Sequence, residues 1–194
     1  TWTDPHPKIG SDTLVDMFNR VVATTPKRPA TWFMGKTLTY DELNTKVSRL
    51  AAQLHGYGVR AGDRVAVALP NCPQHIIAVT AILRLGAIVV EHNPLYTAYE
   101  LRSQFADHGA KVAIVFDKQA STFTTLTEQT PLETVIAVNM IEDMPWTTKA
   151  LLSVPIGPIK SKREQLTGPA PGTISFAGLL HAPQRPAPTP QVEP

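Results

Sequence analysis

Between Tyr40 and Val138 the apolar positions switch back and forth between two spacings. In the first, Leu43, Val47, Leu50, Ala51 and Leu54 recur at three- and four-residue steps, the repeat of one helix face. The second consists of short, nearly continuous apolar runs near 64–69 ("RVAVAL"), 87–91, 111–116 and 134–138, the pattern of strands buried on both faces. Punctuation separates the two. Thr39–Glu42 and Thr97–Glu100 read T-x-x-E, in which the Thr hydroxyl and the Glu carboxylate each satisfy a free backbone N–H at a helix start. Gly56, Gly58 and Gly109 follow the helical stretches, where a permissive backbone ends a helix. Asn71 is expected to cap "PQHIIAVTAILRLG", with Pro73 in its first turn, and a further helix is expected over 121–129.

Four apolar runs alternating with helix-length segments predict an α/β fold: a doubly wound, mainly parallel sheet with right-handed crossovers and helices on both faces. The organisation expected is an N-terminal helix (13–22) and a small hairpin around Gly35 within 1–39, then an α/β core over 40–138. An irregular segment packed on the core follows at 139–182, and a truncated Pro-rich linker at 183–194, where five of twelve residues are proline.

Composition narrows the partners. A chain of 194 residues with 43% hydrophobic residues can bury a substantial core. Eighteen Lys and Arg against sixteen Asp and Glu leave a net charge of +2 with no broad basic face, so nucleic acid is not an expected partner. The single cysteine, Cys72, excludes an internal disulfide and suits a reducing compartment. The apolar stretch 76–90 is too short to cross a bilayer, so a soluble, cytoplasmic protein is expected. The chain opens at Thr1 with no signal-peptide pattern, which suggests a trimmed N-terminus.

Few residues invite chemistry. "GYGVRA" (56–61) matches a dinucleotide-loop string, but it closes a helix and feeds a strand, the reverse of the order that brings a helix N-terminus to a pyrophosphate. A helix cap is the better reading. No G-x-x-x-x-G-K-[ST], H-E-x-x-H or G-x-S-x-G occurs. Cys72 reads as packing, and His55, His75, His92 and His108 lack the spacing of metal ligands, so no metal, catalytic or cofactor-binding residue is assigned. Asn93, Pro94 and Tyr96 follow the C-terminal end of a strand, the edge where open α/β sheets place ligands, although a tight turn also explains them. The segment 146–163 mixes Trp146, Leu151, Leu152 and Ile156 with Lys149, Lys160, Lys162 and Arg163. It suits either a packed flap or peripheral contact with an acidic membrane, and Pro155 and Pro158 break any long amphipathic helix in it.

Thr37–Asp117 carries a G-D-R-V-A turn into a strand, then "LPNCPQ", "LRLGAIVVEHNPLY" and "YELRSQFADHGAKVAIVFD" in that order. This ordered set resembles the N-terminal part of acyl-CoA synthetases of the adenylate-forming superfamily. "MPWTTKALLSVPI" and "PGTISFAGLL" resemble the bacterial long-chain fatty-acid–CoA ligases in particular. The resemblance implies, for an intact enzyme, ATP, magnesium and CoA, a fatty acid converted to an acyl-adenylate, and displacement of AMP by the CoA thiol. It also implies that the Ser/Thr/Gly-rich phosphate loop and the catalytic lysine domain of that family lie outside this sequence. The expectation is therefore a fragment without cofactors of its own and catalytically incompetent alone, whose partner is the remainder of the synthetase. Asn93, Pro94 and Tyr96 would form a substrate-side wall, and the isolated chain would self-associate. A stand-alone nucleotide-binding or protein-interaction module, and an adenylate-forming ligase with another acid or acceptor, stay open as alternatives.

Overall fold

The structure is a computed structural model and describes residues 12–183. Nearly all of the expected Pro-rich linker, and the start of the 1–39 unit, lie outside those residues. Helix α1 (Leu14–Thr24) leads into an antiparallel hairpin of β1 (Pro29–Phe33) and β2 (Lys36–Thr39). There follow α2 (Tyr40–Gly56), β3 (Arg64–Ala68), α3 (Pro73–Arg84), β4 (Ile88–Glu91), α4 (Ala98–His108) and β5 (Val112–Phe116). A 3-10 turn (Asp117–Gln119) joins α5 (Ala120–Leu126), and then come β6 (Thr134–Val138), α6 (Trp146–Ser153), α7 (Gly157–Leu166), β7 (Ile174–Ser175) and α8 (Phe176–His181).

The main sheet has five parallel strands in the order β4-β3-β5-β6-β7. Counted along the sheet's own strands this is 2-1-3-4-5, one of the common doubly wound orders. Alternation along each strand divides the core in two. Val65, Val67, Ile114, Ile136 and Val138 face α2, α3 and α8, whereas Ala66, Ala68, Ala113, Val115 and Val135 face α4 and α5. Helices therefore cover both faces.

Local chemistry starts the helices as expected at α2 and α4, where Thr39 with Glu42 and Thr97 with Glu100 form reciprocal capping boxes. Thr13 and Asp16 make a third at α1, since an Asp carboxylate at the same position reaches the same N–H. Gly109 ends α4 in the left-handed region, φ 66°, where a side chain would be strained. Two expectations require correction. Asn71 does not cap α3: Cys72 occupies the N-cap with no side-chain bond, because Pro73 in the first turn already removes one orphan N–H. The segment 139–182 is not irregular, since it contains α6, α7, β7 and α8. Its prolines mislead because Pro145 precedes α6 and Pro158 lies in the first turn of α7, positions that need no N–H donor.

A polar junction without carboxylates fixes α1 on the domain. Arg84, at the end of α3, donates to Ser48 Oγ (2.7 Å), Asn19 Oδ1 (2.9 Å) and Asn44 Oδ1 (2.9 Å), and lies 5.7 Å from the centre of the Phe18 ring. Burial lowers the Arg84 pKa, so these bonds offset the cost of holding a cation there. Arg84→Met keeps the packing and removes the donors. A loss of about 2 kcal/mol is expected by chemical denaturation, with proteolysis accelerated within residues 14–24. A change below about 0.5 kcal/mol, or unaltered cleavage, would show that the junction does not hold α1.

Candidate functional site

In an open α/β sheet the ligand crevice forms at the C-terminal strand ends, where neighbouring crossovers diverge. Here that point lies between β3 and β5, beyond Ala68 and Phe116. The β5 side is covered. Asp117 is buried, and its Oδ2 accepts the Thr167 hydroxyl while its Oδ1 has no partner in hydrogen-bond geometry. Burial pushes its carboxyl pKa up, opposed by the Thr167 bond and by the nearby N–H groups of Gly168 and Lys118. A Cβ at Gly168 would come within 3.1 Å of the Lys118 backbone, so a larger residue there would require the two segments to shift apart by a few tenths of an ångström.

A second clamp acts through Asp143. Its Oδ1 accepts Lys46 Nζ at 3.0 Å with Lys36 Nζ at 3.8 Å, and its Oδ2 accepts Gln74 Nε2 at 3.3 Å. One carboxylate thus ties the loop after β6 to β2, α2 and α3.

The β3 side stays open. A cavity of about 320 Å3 lies between the hairpin and the start of α3, lined by Thr31, Trp32, Asn71, Cys72, His75 and Ile76 among others. Cys72 is 6% exposed, and burial raises its thiol pKa, which agrees with packing and not with a nucleophile. His75 Nε2 meets Glu91 Oε1 at 2.9 Å and joins α3 to the end of β4. Asn93, Pro94 and Tyr96 fall together in one turn: Asn93 Oδ1 accepts the Leu95 N–H at 2.9 Å, and the Asn93 carbonyl accepts the Tyr96 N–H at 3.0 Å. Tyr96 packs against the α4 side of the core, whereas Leu95 and Tyr99 are exposed.

These groups do not make a phosphate cradle. The loop after β3 carries Pro70 and Pro73, which have no N–H to offer an anion, and the covered side carries a carboxylate. "GYGVRA" closes α2 at Gly56 and turns into β3, with Gly58 at φ 91°. Among the described residues no three His, Cys, Asp or Glu side chains converge as a metal site.

One arrangement escaped the sequence reading. His92, just past β4, and His108, at the end of α4, meet with Nε2 atoms 3.2 Å apart. His92 stacks on Phe105 with ring centres 5.2 Å apart, and His108 meets the same ring edge-on at 4.6 Å. The signal was present: His92 follows Val90 on the α4 face of the strand, and His108 follows Leu101 and Phe105 on the inward helix stripe. The proton positions follow from the partners. The Ala110 N–H donates to His108 Nδ1 at 3.0 Å, so the neutral ring carries its proton on Nε2 and donates to His92 Nε2. His92 then donates from Nδ1 to Gln104 Oε1 at 2.8 Å. A proton added to His92 opposes two N–H groups across 3.2 Å, and one added to His108 points at the Ala110 N–H. The pair is therefore neutral, and no lone pair is free for a metal.

A chain with this sheet order is a doubly wound α/β domain, and it matches the model of the AMP-binding enzyme family over residues 18–188. The chain belongs to that family. It is 36% identical over 169 residues to a long-chain-fatty-acid–CoA ligase of Escherichia coli O157:H7, covering 87% of this chain and 30% of that protein. Over 114 residues it is 42% identical to a long-chain-fatty-acid–CoA ligase of Bacillus subtilis strain 168, covering 58% of this chain and 20% of that protein. The apo structure of Mycobacterium smegmatis MbtA superposes with a TM-score of 0.72 at 24% identity, covering 95% of this chain and 29% of that one, and so shares the fold. The chain spans about 30% of the length of the E. coli relative.

The histidine pair has a measurable consequence. Burial, and then the neighbouring His92, hold the His108 pKa at about 4, against 6.5 in an unfolded chain, and burial also lowers that of His92. The Gln104 bond and then Glu91 oppose the shift at His92, and Asp107 opposes that at His108, to which Arg64 adds. As pH falls from 6.5 toward 4 the unfolded chain takes up protons that the folded chain refuses, so stability present at neutral pH is lost in that window. A melting temperature lower by roughly 2–5 °C at pH 5 than at pH 7 is expected, allowing for the partial exposure of His108. His108→Asn should flatten this dependence. Parallel profiles for the two proteins would remove the pair as its cause.

Proposed function

We propose that this chain is the N-terminal part of an ATP-dependent long-chain fatty-acid–CoA ligase. The observation that carries the reading is 36% identity to a named ligase across 87% of the chain. In the parent, fatty acid, ATP and CoA give acyl-CoA, AMP and pyrophosphate, with magnesium screening the phosphates. This chain's part is architectural: Asp143, Asp117 and Gly168 hold the later segment over half of the sheet edge, and the other half faces the remainder of the synthetase. The turn of Asn93, Pro94 and Tyr96 forms a substrate-side wall there. Its place just after β4 supports this, and Tyr96 is anchored from behind by the core. The parent works in the cytoplasm with peripheral contact to a membrane. No helix among the described residues is long and apolar enough to span one.

Acyl-adenylate formation needs phosphates aligned with the carboxylate and donors placed for the developing charge. The sheet edge described above supplies no such set. Residues 1–194 alone should therefore give no fatty-acid-dependent exchange of labelled pyrophosphate into ATP, whereas a chain extended through the complete synthetase should exchange. Exchange by the short chain would refute the architectural role, and none in the extended chain with any fatty acid would refute the ligase reading.

The edge facing the missing neighbour also exposes Trp32, Ile76, Leu95 and Tyr99, and such surface favours association. Light scattering over a concentration series should show dimers or larger species for the short chain. A monomer at every concentration, with no binding of a hydrophobic dye, would contradict this.

A further inference from the structure

Helices α6 and α7 pack chiefly on each other, and a cavity of about 530 Å3 opens where they meet the loop after β6. Lys149 lines it from α6, and Lys160 and Arg163 line it from α7. Like charges one turn apart on a helix repel, so gathering Lys160 and Arg163 at one hollow with Lys149 is unfavourable unless an anion joins them. Glu164, 3.9 Å from Lys160, is the carboxylate in the lining, and Glu142 feels Lys149 from outside it. Among the described residues no carboxylate comes within ion-pair distance of Lys149 or Arg163. Three cations against one carboxylate leave an excess of two positive charges at the cavity. Lys162, on the same helix, lies outside the lining.

We propose that this cavity binds a soluble phosphate monoester with a small uncharged body. Charge selects the head group. A phosphomonoester carries a charge of about −1.5 to −2 near neutral pH, which matches the excess, and its oxygens can take a forked pair of bonds from Arg163 and the point charges of the two lysines. Volume selects the rest: the cavity is larger than a bare phosphate needs and falls in the range of small-molecule pockets, roughly 300–1,000 Å3. Ile141 and Leu152 offer an apolar wall for carbon, with Asn139 beside them. Asn139 Oδ1 already accepts the Ile141 N–H at 2.9 Å, which leaves its amide N–H groups to donate to a ligand hydroxyl. Glu164 selects against a second acidic group, because a carboxylate on the ligand would face it with no cation left to pair. The inference holds whichever acid the parent activates, so its test and the exchange assay fail independently.

The test is isothermal titration calorimetry of the full 194-residue chain, taken from its lowest-mass fraction, with glycerol 3-phosphate, glycerol and 3-phosphoglycerate at about 0.1 M salt. Glycerol 3-phosphate should bind saturably and glycerol should not bind. The affinity for 3-phosphoglycerate should be lower by at least about threefold, whereas attraction to positive charge alone gives the reverse order, since 3-phosphoglycerate is the more highly charged. Arg163→Gln should weaken binding of glycerol 3-phosphate at least about tenfold. Lys149→Gln, on the other helix, should weaken it at least about threefold and decides the matter if the Arg163 variant loses helical circular dichroism. Lys162→Gln removes the same charge from outside the cavity and should change the affinity by less than about twofold. Glu164→Gln should narrow the gap between the two esters. All four substituted side chains are exposed, so the fold should be retained. No saturable binding, the reverse order of the esters, or equal losses from Lys162→Gln and Arg163→Gln would overturn the proposal. So would binding to vesicles containing phosphatidic acid without binding of the soluble ester, which would make a lipid headgroup the source of the phosphate.

Discussion

The structure depends on burying β3 from both sides. Val65, Ala66, Val67 and Ala68 have no exposed surface, and a strand in that position tolerates side chains only of the size each layer leaves room for. The two layers differ. Toward α2 and α3 the strand presents valines, and the facing helices supply leucine, isoleucine and alanine. Toward α4 and α5 it presents alanines, and the facing helices supply Phe105 and Phe123, with ring centres 5.9 Å apart. Small residues on the strand thus receive large ones from the helices, and a register slip by one residue would exchange the two sets and misfit both faces.

With that layer fixed, the later chain is positioned by polar bonds as well as by added core. Asp143 reaches Lys46 and Gln74, Arg49 donates to the Leu180 carbonyl at 2.9 Å, and Thr167 donates to Asp117. Directional bonds set position where apolar contact sets only proximity. A cover placed over a ligand-facing edge needs a fixed position more than it needs strong adhesion. The α8 side chains Phe176, Leu179 and Leu180 then supply the apolar anchor that returns the chain to the first core.

Much of this was legible beforehand because it is local. The T-x-x-E pairs specify helix starts within four residues, and the apolar runs at 64–69 and 134–138 admit little besides buried strands. What escaped depends on contacts between distant residues. Strand β7 has only two residues, and it is a strand because Ile174 and Ser175 pair with Ile136 and Ala137. Asn71 carries the side chain of a helix cap, yet its neighbour holds the position. His92 and His108, sixteen residues apart, look unrelated until a turn and a helix fold one over the other. Pro155 and Pro158 read as breakers when taken one at a time; Pro155 does separate α6 from α7, whereas the place of Pro158 in the first turn of α7 needs that helix to be known first.

The sheet edge is the part whose chemistry the sequence leaves least visible, and the geometry supplies a reason. A self-sufficient nucleotide site would place unpaired backbone N–H groups at the β3–β5 divergence. This chain instead places a buried carboxylate and a close backbone crossing at Gly168 on one side of it, and Cys72 with Pro73 on the other. The first attaches the later chain to the edge, and the second leaves the edge open beside the hairpin. The edge as built therefore offers position and backbone walls, and no ready set of donors for a phosphate. The capping boxes and the two-layer core fix those walls, because the helix starts are held locally and the central strand is packed from both sides.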